Sequence, residues 1–112
     1  MLNIISDDRG KLIEVVKGGP WTQMNHAFNK KDSIRGRHYH KFTSEIFYLI
    51  SGEVVAELQN VQTGFHQKVN MKKGDILKVK PFEKHTLQSL TDTEWIVLLS
   101  HEFDEKNPDI FK

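Results

Sequence analysis

The triplet His38-Tyr39-His40 is where this 112-residue sequence concentrates groups able to do chemistry. On a strand, residues two apart project from the same face, so two imidazoles about 7 Å apart at their Cα atoms can converge on one cation. Glu45 lies an odd number of residues further on, and a straight strand would turn it away. Lys41, Phe42, Thr43 and Ser44 must therefore bend or change strand. From Glu45 the alternation places Glu45, Phe47 and Leu49 on one face up to the Ser51-Gly52 turn. The carboxylate then shares the core side, where it is costly unless a metal or a proton relieves it.

The spacing extends into two motifs. His38, His40, Glu45 and Gly52 keep the intervals of the first cupin motif, and Gly74, Asp75, Pro81 and His85 follow the second. Pro81 is displaced by one residue, and Gly36 stands closer to His38 than the family places its leading glycine. The chain resembles the cupin superfamily, which implies a single domain over residues 1–112, all-β, built as a jelly-roll β-barrel (a double-stranded β-helix). The resemblance also implies a metal site made by His38, His40, Glu45 and His85. Three imidazoles and a carboxylate suit a divalent transition metal: Zn, Fe, Ni, Mn or Cu.

A second resemblance reaches further upstream. Asp8-Arg9-Gly10, then Gln23-Met24-Asn25-His26, then Arg35-Gly36-Arg37-His38-Tyr39 look like the dTDP-4-dehydrorhamnose 3,5-epimerase family. The string from Arg35 to Lys41, with the tail running from Trp95 to Asp104, is similar to the dTDP-sugar 3,4-ketoisomerases. These enzymes imply removal of a proton beside a ketone, for which a neutral imidazole is suited. By that resemblance His38 or His40 is the base, while Arg9 and Arg35 meet a nucleotide diphosphate. Gln23 and Asn25 would hydrogen-bond sugar or phosphate, and Arg35 and Tyr48 are candidates to hold the enolate oxygen. A ligated imidazole cannot also act freely as a base, so the two resemblances compete for His38 and His40. The leading expectation is an epimerase or isomerase of a keto-sugar nucleotide. The alternatives are a non-catalytic cupin binding a metal and a small ligand, and an Fe(II) dioxygenase.

These side chains need a β framework to hold them. Apolar segments at 12–16, 46–50, 53–58, 65–69, 75–79, 86–89 and 95–99 recur between glycine, proline and Asn/Asp turns, which reads as a sandwich or barrel. No window keeps a helical period over three turns, and only residues 101–112 could form a helical turn or an arm. A formal net charge of +1 with dispersed basic residues gives no footprint for nucleic acid. There is no cysteine, and no apolar run suits a signal peptide or membrane span, so the expectation is a cytoplasmic protein. Small cupins have sheet edges to cover, and a homodimer is expected. Arg9 and Arg35 could instead be surface partners of Asp7, Asp8 or Asp32. His26, His66 and His101 read as outside the cluster, Tyr39 as packing between sheets or at a dimer contact, and Trp21 and Trp95 as core or interface.

Overall fold

The computed structural model describes residues 2–112, and every regular element in them is a strand. In chain order these are β1 (Asn3–Asp7), β2 (Gly10–Glu14), β3 (Gln23–Asn29), β4 (Ile34–His38) and β5 (Glu45–Ser51). They are followed by β6 (Val54–Asn60), β7 (His66–Met71), β8 (Ile76–Val79), β9 (Glu83–Ser89) and β10 (Thr93–Leu99). β1 and β2 form a separate antiparallel hairpin. The other eight make two four-stranded sheets, ordered β3-β10-β5-β8 and β4-β9-β6-β7.

The pairing follows one rule. β6 pairs with β7, β5 with β8, β4 with β9 and β3 with β10, and successive pairs alternate between the two sheets. This is a long hairpin, closed at its tip between Asn60 and His66, wrapped so that its rungs fall on opposite faces. That wrapping is the jelly roll of the cupins. The two sheets face one another as an open sandwich.

Alternation along each strand explains which residues face in. β10 buries Thr93, Trp95, Val97 and Leu99 and leaves the intervening residues partly exposed. β6 buries Val54, Ala56 and Leu58 in the same way. With Phe47, Leu49, Val79 and Leu87 these make the core, and Phe47 meets Trp95 edge to face with ring centroids 5.8 Å apart. The expected strands are all present, but several start earlier than hydrophobicity suggests. β9 begins at Glu83 and β10 at Thr93, because ladder partners on β6 and β3 extend pairing into polar residues.

Residues 101–112 contain no helical turn and run as an arm. The arm returns to the sandwich, where Tyr39 and Phe111 exchange two backbone hydrogen bonds of 2.8 and 2.9 Å. Tyr39 accordingly packs within the chain, beside Phe82 and Phe111.

Candidate functional site

The ladder sets up the site at one end of the sandwich. β4 and β9 bring His38 opposite His85, and β5 begins at Glu45 between Val79 and Leu99. The register between β4 and β9 slips at Gly36 and Arg37, whose φ angles are +96° and +64°. Two residues of β4 are thereby used against one step of β9, a β-bulge. Without it Arg35 and His38, three positions apart, would point to opposite faces. With it Arg35 pairs with Leu87 and His38 with His85, both on the inner face. Glycine is needed at the bend, since a Cβ on Gly36 would run into the carbonyl oxygen of His85. The closeness of Gly36 to His38 is thus the bulge itself.

His40 lies just past the end of β4, and its ring still converges on the same point. The centroids of His38, His40 and His85 stand 5.0, 4.7 and 5.2 Å apart, a near-regular triangle. One ring nitrogen from each lies within 4.8 Å of the others. Glu45 Oε1 accepts hydrogen bonds from His40 Nε2 at 2.8 Å and is 3.2 Å from His85 Nε2. Glu45, His40 and His85 are 7%, 5% and 1% exposed, whereas His38 is half-buried. The four residues singled out by spacing therefore do come together, and the bend at Lys41 to Ser44 turns Glu45 inward as its odd interval requires.

The charges divide in an orderly way. Burial alone would raise the Glu45 carboxyl, but the hydrogen bonds from His40 and His85 outweigh it and hold the group down at about 2. Burial also works against a charged His40, yet the Glu45 hydrogen bond and the Asp109 carbonyl leave it raised. His38 is pushed down to about 4, by burial first and then by repulsion from His85 and His40. The site thus pairs a buried carboxylate with His40 and keeps His38 a neutral imidazole at physiological pH.

His38, Glu45 and His85 form part of the wall of a cavity of about 670 Å³ between the edge strands β3 and β4. Arg35 stands at its side, and its Nε donates to Asn29 Oδ1 at 2.5 Å. Asn29 in turn donates to Thr93 Oγ1, which is bonded to Ser89 Oγ, so a buried polar chain fastens the guanidinium across the gap. Asn25 also lines the cavity. Its neighbour Gln23 does not: the Gln23 amide donates to Asn25 Oδ1 and accepts from the Phe103 backbone N–H. The substrate contact expected of Gln23 is replaced by orientation of Asn25.

Two expected site residues lie elsewhere. Tyr48 sits one position from Phe47 on β5, so its side chain points to the outer face and lines a groove beneath the β1–β2 hairpin. It cannot hold an enolate in the histidine cavity. Arg9 is at the hairpin turn, bonded to exposed Asp7 at 2.7 Å, and is not on the cavity wall. The hairpin pairs only with itself, and nothing in its ladder turns Arg9 toward the histidines. As expected, His26 pairs with Glu94 and His66 approaches Glu57, both outside the cluster.

Spacing missed Asp109. Its carboxylate accepts from the backbone N–H groups of Lys41, Phe42 and Thr43 and from the Thr43 hydroxyl, at 2.8 to 2.9 Å. Its main-chain carbonyl accepts from His40 Nδ1 at 2.6 Å. No local pattern announces an aspartate in a polar tail as a partner of a loop so far upstream.

With this geometry in hand, the comparisons with known proteins are consistent. The profile of the polysaccharide biosynthesis C-terminal domain family matches residues 5–111. The chain belongs to this family. It is 28% identical over 110 residues to a UDP-2-acetamido-2,6-beta-L-arabino-hexul-4-ose reductase of Pseudomonas aeruginosa, covering 95% of this chain and 30% of that protein. The domain therefore spans less than a third of that relative. The dTDP-4-dehydrorhamnose 3,5-epimerase of Sulfolobus tokodaii superimposes with a TM-score of 0.79 at 23% identity, over 93% of this chain and 70% of that one. A variant of the 3,4-ketoisomerase QdtA from Thermoanaerobacterium thermosaccharolyticum, in complex with TDP-4-keto-6-deoxyglucose, gives 0.81 at 19% identity, over 98% and 82%. These likenesses establish the cupin fold of the two resembled enzyme groups. Among the described residues no helix is long and apolar enough to cross a membrane.

Proposed function

We propose that this domain binds a nucleotide-linked keto-sugar in the histidine cavity and removes a proton from the carbon beside its carbonyl, as an epimerase or isomerase. The observation that carries the reading is His38. It is a neutral imidazole on the cavity wall, with no hydrogen-bonded carboxylate, and shares that wall with a fastened Arg35. A proton acceptor must be within reach of solvent-filled space, and His38 lines the cavity as the least buried of the three histidines. His40 is excluded as the base, because both of its ring nitrogens are engaged by Glu45 and Asp109. In this reading Arg35 receives the negative charge that develops on the carbonyl oxygen, or a phosphate of the nucleotide. The family and its nucleotide-sugar relatives support the substrate class.

In the same reading His40, Glu45 and His85 hold a divalent cation. The residues present fit one: Nε2 of His40 and Nε2 of His85 lie 2.8 and 3.2 Å from Glu45 Oε1, and the carboxylate is ionised there. A bound cation would polarise the substrate carbonyl as a Lewis acid. A second reading makes His38 the fourth ligand, and the 4.8 Å spacing of the three ring nitrogens favours it. His38→Ala separates the two. If His38 is the base, the variant keeps its metal by elemental analysis and loses deuterium wash-in beside the ketone of a dTDP-4-keto-6-deoxyhexose by about 10²-fold or more. Loss of the metal assigns His38 as a ligand, and wash-in at the native rate removes it from the mechanism. A second copy of the chain completes the assembly in this proposal, covering the apolar Ile4, Ile5 and Leu12 that the hairpin exposes; sedimentation as a monomer at micromolar concentration would contradict that.

A further inference from the structure

We infer that the C-terminal arm, through Asp109, is a positioning element for His40 and decides which of its ring nitrogens faces the cation. The inference rests on the reading of His40, Glu45 and His85 as metal ligands, and concerns residues that no catalytic resemblance includes.

His40 is the least restrained of the three histidines by the sheets themselves. His38 and His85 sit in β4 and β9 and are opposed across a ladder. His40 lies beyond the end of β4, at the start of a loop that must bend sharply to deliver Glu45. An imidazole in such a loop has two ring flips and two neutral tautomers available, and only one arrangement offers Nε2 to the cluster.

The arm removes that freedom from both sides. The Asp109 carbonyl accepts from His40 Nδ1 at 2.6 Å, which occupies Nδ1 as a donor and leaves Nε2 aimed at Glu45. The Asp109 carboxylate gathers three consecutive backbone N–H groups and one hydroxyl of the loop, so the loop's backbone and the His40 ring are referenced to one residue. Phe111 then ties the arm down. It pairs with Tyr39 through two backbone bonds, and the Lys41 ammonium lies 4.2 Å from its ring centroid. Residues 39 to 43 are thus clamped along their whole length by residues 109 to 111.

The Asp109 carboxylate is partly buried and accepts four hydrogen bonds, from the backbone of Lys41, Phe42 and Thr43 and the Thr43 hydroxyl. Outer hydrogen-bond partners of ligating histidines typically contribute about 10- to 100-fold to metal affinity.

The test uses the full-length chain with Asp109→Ala, Asp109→Asn and, as a control for lost stability, Val54→Ala, which opens a core position remote from the cluster. Co(II) binding is read by titration against a competing chelator and by the visible d–d spectrum of the bound ion. Asp109→Ala is expected to weaken Co(II) binding by about 10-fold or more and to alter the spectrum. Asp109→Asn, which retains carbonyl acceptor capacity, should recover part of the affinity, and Val54→Ala should leave affinity and spectrum unchanged. Native affinity and spectrum in Asp109→Ala would overturn the proposal, as would an equal loss in Val54→Ala. Should the native chain bind no Co(II), Zn(II) or Ni(II), the metal reading fails by itself. The arm is then judged on the metal-free protein by the His40 Nδ1–H resonance in proton–nitrogen NMR spectra. A protected signal that disappears in Asp109→Ala supports the positioning role, and a signal unchanged by the substitution refutes it.

Discussion

The histidine cavity and the β1–β2 hairpin both carry ionisable residues that family likeness marks for function, and they treat them in opposite ways. In the cavity three buried groups, His40, Glu45 and His85, are held by strands or clamped by an arm, and each ring nitrogen of the two histidines has a partner. In the hairpin Arg9 and Asp7 bond each other in open solvent, two residues apart, on a two-stranded element that pairs with nothing else. A charge pair of the second kind contributes little, because water competes for both partners and the ladder constrains neither. A site needs positions that the backbone over-determines, and only the cavity provides them.

The largest effect is expected where the cavity is most buried. Glu45→Gln leaves His40 without its anion in a dry environment and should destabilise the metal-free protein by about 3 to 5 kcal/mol in urea unfolding, as breaking a buried pair usually does. A loss no greater than that of a surface substitution would show the cavity to be as solvated as the hairpin.

Acid should dissect the same cluster next. His38 titrates at about 4 in the native chain, below its ordinary 6.5, so the unfolded state takes up that proton first and stability falls as pH drops from 6.5 toward 4. Glu45, lowered from 4.5 to about 2, contributes stability that is complete above 4.5 and lost as pH falls through 2. His40 is raised, so its contribution is complete below 6.5 and is lost as pH rises through its native value. Unfolding midpoints of the metal-free protein against pH should show these limbs, and His38→Asn should flatten only the upper acid one. A His38→Asn curve parallel to the native curve between 6.5 and 4 would mean that His38 is not held neutral.

The smallest effect belongs to the hairpin. Arg9→Ala should leave the unfolding midpoint unchanged and deuterium wash-in within about twofold of native, since among the described residues its charged partner is an exposed aspartate. A large fall in wash-in would place Arg9 against substrate and erase the contrast between the two regions.

Much of this is legible in the sequence itself. His38, His40, Glu45 and His85 converge as their intervals require, and the short apolar segments are the strands that carry them. Tyr48, read from the sequence as a candidate to hold the enolate, is where parity contradicts that expectation: with Glu45 and Phe47 facing inward their neighbour faces out. The bulge at Gly36 was harder to read, since its effect appears only when His85 is known to sit opposite His38. Asp109 was beyond reach. Its role comes from tertiary packing of an irregular tail, which has neither a periodicity nor a motif to betray it.

The nested ladder has a kinetic consequence. Its innermost rung, β6 with β7, joins residues only a short loop apart, whereas β4 with β9 closes a loop of most of the sandwich and β3 with β10 a still longer one. Loop entropy favours zipping from the tip outward, and His38 meets His85 only on the next-to-last rung. Assembly of the histidine cluster thus requires a nearly finished fold. Fraying of the outer rungs, long before global unfolding, would then take the cluster apart while the inner rungs stay paired.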